Sequence, residues 1–328
     1  MRAWLIEGQT GPQDLRLVEL DKPTISGTEV LVRVTAPGVV PFDWAVINDE
    51  NESTFPPATL PIVPGNQGAG IVEDPGSSSF NAGDRVMFGA FPYGFMRQGS
   101  WAEYISVEAD QMTRIPTSVP DGAAAQAAVA YPTAYQALLE SGMASGKTVL
   151  ATGIGGSVGN AAYQLAKAMG AKAVFSTAGT SAKAARAAQA GFDNIIDLSR
   201  ESIADGVHGR NEGAGVDIII DSVGGQVIAD AIKSLGRYGR AIALGFAAGR
   251  SSTITLADLI LVRGSIQGYG VYTCTPEEWR GAWAAFTQFA DAAEVKPIFD
   301  RDFAFEDAPE ALRYMAHARP FGSVSLRF

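Results

Sequence analysis

The 328-residue chain holds a single cysteine, Cys274, and two histidines, His208 and His317. One thiol excludes an internal disulfide framework and fits a reducing compartment. Two distant imidazoles without ligand spacing supply no metal-binding set, so no metal is expected. Charge is sparse too: 18% of residues are Asp, Glu, Lys or Arg, and the formal net charge is −10. That balance counts against nucleic acid or an anionic membrane as a general partner and confines any anion site to a local patch. No uncharged run reaches membrane-spanning composition without proline, glycine or glutamine interrupting it, and residues 1–7 lack the apolar core of a signal peptide. A cytoplasmic location is the resulting expectation. Internal repeats are missing as well, while an apolar content of 47% over this length suits a globular enzyme with two substantial cores.

Glycine, by contrast, is plentiful at 37 residues, and it punctuates the segment 148–170. Thr148-Val149-Leu150-Ala151 reads as a buried strand. Gly153, Gly155, Gly156, Ser157, Val158 and Gly159 read as a turn that opens a helix. Val158, Ala162, Leu165 and Met169 recur at spacings of four, three and four, an apolar stripe on one helical face, and Gly170 is a natural stop. A second strand follows over 171–177. Glycines at 153, 156 and 159 permit a tight turn, close approach of backbone to ligand, and close packing of helix on strand; the amides at the helix start point at an anion. Strand, turn, helix and strand in this order predict dinucleotide binding.

An acid about twenty residues past the last turn glycine would bind the ribose hydroxyls of NAD. None stands there: the second strand runs through Ser176-Thr177-Ala178-Gly179-Thr180-Ser181-Ala182-Lys183, with Arg186 beyond. Hydroxyls and cations suit a 2′-phosphate, and NADPH is the expected cofactor. One hydrogen bond to a charged group is worth about 1.5–3 kcal/mol, and ~1.4 kcal/mol is tenfold in affinity, so one or two contacts set the preference. The alternative leaves Lys183 and Arg186 as solvated cations on an exposed helix face.

The first 120 residues are rich in β-branched residues, glycine and proline, with strand-like runs at 29–34, 70–73, 84–88 and 101–107; they predict a mostly β domain. From about residue 121, alanine-rich helices alternate with apolar strands at 149–152, 173–177, 194–198, 216–221, 240–245 and 265–268. Such alternation implies an α/β domain built on a doubly wound parallel sheet. Thr275-Pro276-Glu277-Glu278 predicts a capped helix running to about Ala292 and closing the nucleotide-binding half. Two further strand-like pieces, 298–305 and 323–328, flank a helix near 308–317 and return to the first domain. The expected division is 1–120 with 295–328 against 121–294, with the ligand cleft between them.

Several stretches carry a family likeness. Gly38-Val39-Val40-Pro41-Phe42-Asp43-Trp44 looks like a Gly-Val-Asn-Pro-x-Asp segment, and 60–70 looks like Leu-Pro-x-x-Pro-Gly-x-Glu-x-x-Gly. Gly83-Asp84-Arg85-Val86, Ala134-Tyr135-Gln136-Ala137-Leu138, Asp221-Ser222-Val223-Gly224-Gly225 and Gly239-Arg240 extend it. Through them the chain resembles the medium-chain dehydrogenase/reductase superfamily, specifically its zinc-independent quinone oxidoreductase branch, over nearly its full length. The resemblance implies a Rossmann domain joined to a mostly β, GroES-like substrate domain, and a homodimer formed through edge strands near 265–271. It places the pyrophosphate on Gly155, Gly156, Ser157 and Val158, and the adenosine phosphate near Gly179, Thr180 and Lys183. The nicotinamide falls near Thr133, Gly245, Phe246 and the backbone of Tyr269, Gly270 and Val271. Departures are Val40 for asparagine, Gln67 for glutamate, Ser157 for a further glycine, and Leu198 for an aromatic or imidazole ring. Asn66 and Gln67 also replace the His-Glu pair from which zinc relatives draw a histidine ligand.

Without a Lewis acid, hydride addition to an isolated ketone builds a poorly stabilised alkoxide, whereas a quinone or an α,β-unsaturated carbonyl spreads the charge over a conjugated system that hydrogen-bond donors can hold. The expected activity is therefore NADPH-dependent reduction of quinones or α,β-unsaturated carbonyl compounds. Asp43 is the candidate catalytic residue, orienting substrate or a proton-bearing water; the competing reading is a loop turn acceptor. Trp44, Phe91, Tyr93, Phe95, Tyr269 and Tyr272 are candidates for an aromatic pocket or, alternatively, for core. A 2-enoyl thioester reductase remains open, as does a non-catalytic, redox-sensing NADPH-binding protein, which the valine at position 40 motivates.

Overall fold

The computed structural model describes residues 1–50, 58–89 and 92–328. The chain begins with an antiparallel pair, β1 (Arg2–Ile6) and β2 (Leu15–Glu19). Then come β3 (Glu29–Pro37), α1 (Pro41–Ile47), β4 (Gln67–Asp74), β5 (Arg85–Gly89), β6 (Tyr104–Glu108), β7 (Met112–Arg114) and α2 (Asp121–Glu140). β3 to β7 form an antiparallel sheet in the order β6-β3-β4-β5-β7. The two-residue period of a strand puts Val30, Val32 and Val34 on one face, where they meet Val72, Val86, Phe88, Tyr93, Ile105, Val107 and Met112 in a single core.

The middle of the chain alternates strictly: β8 (Thr148–Ala151), α3 (Ser157–Ala168), β9 (Ala173–Ala178), α4 (Ser181–Gln189), β10 (Ile195–Asp197), α5 (Ile203–Arg210), β11 (Val216–Asp221), α6 (Gly225–Ile232), β12 (Leu235–Ala243), α7 (Leu256–Val262) and β13 (Ser265–Gly268). All six strands pair in parallel, in the order β10-β9-β8-β11-β12-β13. The chain winds outward from β8 to β10, returns to β11 and winds the other way, so β8 and β11 flank the switch point, where such sheets leave a crevice at the strands' carboxyl ends. This is the doubly wound Rossmann arrangement.

The chain then forms α8 (Pro276–Asp291), β14 (Phe299–Ala304), α9 (Ala308–Arg313) and β15 (Ser323–Arg327), with β14 and β15 parallel. The start of α8 is a reciprocal capping box: the Thr275 amide donates to Glu278 Oε2 at 2.6 Å, and the Glu278 amide donates to Thr275 Oγ1 at 3.3 Å. Two compact units result, Met1–Val129 with Cys274–Asp291 and Pro297–Phe328, and Ala130–Thr273 with Ala292–Lys296. α8 and residues 121–129 of α2 fall in the first of these units, where Trp283 and Phe286 are buried and the Trp283 indole N–H donates to the Ala128 carbonyl at 2.9 Å. A second core in this unit gathers Trp4, Ile6, Ile62, Trp101, Phe305, Leu312, Val324 and Leu326, joining the first strand to the tail.

Candidate functional site

The turn after β8 is held from two sides. On one, Thr152 Oγ1 donates to Asp221 Oδ1 at 2.6 Å, Ser222 Oγ donates to the Thr152 carbonyl at 3.1 Å, and Asp221 Oδ2 accepts the Gly224 amide at 2.8 Å. Burial raises the Asp221 carboxyl, and these donors oppose the shift. On the other side, the amides of Gly153 and Ile154 donate to Thr177 Oγ1 and to its carbonyl, at 2.9 and 3.0 Å. Gly153 has φ of +77°, open to glycine at little cost. A Cβ at Gly159 would collide with the carbonyl oxygens of Thr152 and Gly153, so α3 rides directly on the end of β8. Gly156 differs from both. Its φ is −87°, ordinary for any residue, and a Cβ there would meet only the Gly153 carbonyl oxygen, at 3.5 Å. The fold does not demand glycine at 156; the missing side chain leaves open the approach to the first turn of α3, which Ser157, Val158 and Gly159 begin.

Gly179 follows β9, with open space where a Cβ would project, and Thr180 caps α4 by accepting the Lys183 amide at 3.3 Å. Lys183 lies in the first turn of α4 and Arg186 in the last. One residue here escapes the sequence reading: Asp197, at the end of β10, accepts Ser181 Oγ at 2.5 Å and Ser199 Oγ at 2.6 Å, with Arg200 Nε 3.8 Å away. The two serine hydroxyls hold its carboxyl below the usual range. An acid thus faces the start of α4, but it comes from the neighbouring strand and falls outside the twenty-residue window. Gly245 and Phe246 follow β12; Gly245 packs on the Ser222 backbone, and Phe246 is exposed beneath Arg250. After β13 the Tyr269 amide donates to the Ala243 carbonyl at 2.9 Å, Gly270 lies against the Tyr272 ring, and Val271 opens a short turn. Every residue expected to hold cofactor therefore follows the carboxyl end of a parallel strand, except Thr133, which is buried within α2.

In the β-rich unit Asp43 lies in helix α1, where the sequence had suggested a loop. It is 2% exposed, and its carboxylate accepts the amides of Val40, at 2.8 Å, Gly65 and Asn66. Burial pushes the group up to about 7 against the pull of those donors. Trp44 is half-buried, donating from Nε1 to Glu50 Oε1 at 3.1 Å with its ring edge-on to His317. Two aromatic assignments need correction. Tyr93 is enclosed in the core, its hydroxyl accepting the Glu108 amide at 2.9 Å, and Phe95 is likewise core, because the apolar bodies of both rings are worth more buried than facing a wet pocket. Phe91 lies outside the described residues. Tyr272, in the other unit, is exposed. Beside Asp43, Asn66 Oδ1 and Gln67 Oε1 are buried without a hydrogen-bond partner among the described residues.

Two family models match the chain, an alcohol dehydrogenase GroES-like domain over residues 26–117 and a zinc-binding dehydrogenase over 157–288. Quinone oxidoreductase of Sus scrofa is 30% identical over 313 residues, 94% of this chain and 92% of the relative. The chain belongs to the quinone oxidoreductase branch of the medium-chain dehydrogenase/reductase superfamily. Solved structures share the fold of this oxidoreductase family from end to end. A mycobacterial protein in complex with NADPH has a TM-score of 0.85 at 25% identity, and an NAD-dependent alcohol dehydrogenase has 0.88 at 26%, each covering 100% of both chains. Among the described residues no three His, Cys, Asp or Glu side chains converge as metal ligands, and no helix is long and apolar enough to cross a membrane.

Proposed function

We propose that this oxidoreductase uses NADPH to reduce quinones or α,β-unsaturated carbonyl compounds, without a metal ion, in the cytoplasm and as a homodimer. The observation that carries the reading is the open approach at Gly156, an unfilled space over the amides that begin α3 at the switch point of the sheet. A pyrophosphate would lie over the first turn of α3, from Ser157 through Val158 to Gly159, where the positive end of the helix dipole attracts an anion. Gly179, Thr180 and Lys183 would hold the adenosine phosphate, with the charge of Asp197 shared among Ser181, Ser199 and Arg200 so that it opposes a second anion less. Thr133, Gly245, Phe246 and the Tyr269–Val271 backbone would hold the nicotinamide. When bound, NADPH supplies the reducing equivalent; the protein orients the acceptor, excludes water and offers hydrogen-bond donors to the oxygen that gains charge. A conjugated acceptor fits this reading, since polar groups suffice where charge is delocalised. Within this reading Asp43 is a positioning residue that fixes the backbone of 40, 65 and 66.

Steady-state assay of the full chain with NADPH and NADH against a panel of quinones, enones and crotonyl-type thioesters tests the proposal. Turnover of quinones or enones with NADPH preferred is expected. Preference for the thioester moves the substrate class, preference for NADH removes the role given to Lys183, and tight cofactor binding with no turnover of any acceptor makes the chain a binding protein.

A further inference from the structure

We propose that the side-chain amide of Asn66 is the substrate's polar anchor, bonding the carbonyl oxygen of a quinone and the hydroxyl of its hydroquinone product. This rests on the reading of the chain as a quinone reductase. Asn66 is partly exposed, yet its Oδ1 is buried with no partner, and among the described residues its side chain makes no hydrogen bond. Gln67, 5% exposed, carries a second buried oxygen without a partner. Folded chains leave few such atoms, because a desolvated acceptor without a donor costs stability that an apolar residue of the same shape would not.

The backbone around these amides is not loose. Asp43 takes the amides of Gly65 and Asn66; the Ser100 amide donates to the Gly65 carbonyl at 2.8 Å; Ser100 Oγ and the Gly38 amide donate to the Gln67 carbonyl at 2.8 and 3.0 Å. A segment in which residues 65, 66 and 67 each have a backbone group held while the Asn66 and Gln67 side-chain oxygens stay unpaired has the form of a site awaiting a ligand.

Asp43 also identifies what Asn66 replaces. The same carboxylate accepts the Val40 amide, so the backbones of Val40 and Asn66 are neighbours across one carboxyl group. Position 40 is where the family pattern has asparagine, and valine brings no hydrogen-bonding group there. The polar function lost at 40 is available from 66, on the other side of Asp43. An amide is suited to both redox states of the ligand: Nδ2 donates to a quinone carbonyl, and a half-turn of the side-chain amide would bring Oδ1 out to accept from a hydroquinone hydroxyl, with no change of protonation.

The test compares wild type with Asn66→Leu, which keeps the branching and the number of heavy atoms and removes both hydrogen-bonding atoms. Asn66→Leu is expected to lower kcat/KM for 1,4-benzoquinone by about tenfold or more, chiefly through KM. NADPH affinity should stay the same, and the melting temperature should be equal or higher. Unchanged kinetics overturn the proposal, as does a fall in melting temperature with catalysis intact, which would mean that the amide serves the fold. Calorimetric binding of hydroquinone to the NADP+ complex needs no turnover and separates this proposal from the reading it rests on. Binding by wild type but not by Asn66→Leu supports the anchor even if quinone reduction fails. Equal binding by both sinks it while leaving the activity standing, and no binding by wild type sinks the anchor outright.

Discussion

Asp43 holds three backbone amides in a dry environment, so truncating it orphans all three at once. Each unsatisfied buried donor costs about 1–3 kcal/mol, and Asp43→Ala is expected to lose about 3 kcal/mol or more in urea unfolding. Its pH behaviour has a definite sign. Because burial raises the carboxyl to about 7, the folded state holds the proton more tightly than the unfolded chain. The resulting stability is present in full below the ordinary aspartate range and is lost as pH rises through about 7. Asp43→Asn should flatten that fall relative to wild type when denaturation midpoints are compared across this window; parallel curves would show the carboxylate ionised throughout. At the adenosine end, Lys183→Glu is expected to weaken NADPH by about tenfold or more while NADH loses far less, read by fluorescence titration. Equal losses would transfer the phosphate contact to another side chain, Arg200 in the turn after β10 being the first to test.

The strand–turn–helix element separates structural glycine from functional glycine. At 159 an added methyl collides with two backbone carbonyls, whereas at 156 it meets one oxygen at ordinary contact distance. Gly159→Ala is therefore expected to lower both melting temperature and NADPH affinity. Gly156→Ala should leave the melting temperature nearly unchanged and weaken NADPH by about tenfold or more, the mark of a methyl that obstructs a ligand and not the chain. If both variants lose affinity only in proportion to stability, the turn has no direct contact with cofactor. This element was legible in the sequence because glycine spacing and the apolar stripe of α3 are local properties. The cap on α8 was equally legible, since Thr275 and Glu278 satisfy each other within one turn.

At the scale of the whole molecule, β13 is an edge strand whose four residues are all exposed, and α7 beside it carries Leu256, Ile260 and Leu261 at 69%, 70% and 82% exposure. Under the proposed homodimer, this open strand edge and the apolar side chains next to it would meet a second copy. Ile260→Asp with Leu261→Asp is expected to halve the mass measured by light scattering, and an unchanged mass would place any self-association elsewhere. The two layers of the fold were readable in advance: period-two valines mark the antiparallel sheet, and strands alternating with alanine-rich helices mark the parallel one. Other features were not, because they join residues far apart in the chain. Asp197 reaches α4 only once β10 lies beside β9, the Trp283 indole of α8 meets the Ala128 carbonyl of α2, and Tyr93 enters a core where a pocket aromatic had been expected. By itself the sequence determined the elements, their order and the glycine-rich turn between β8 and α3, since backbone sterics and side-chain periodicity act within a few residues. Only the tertiary structure decided which polar groups lost water and which found partners, because desolvation and hydrogen bonding at Asp43, Asn66 and Asp197 depend on strands and turns that meet only after folding.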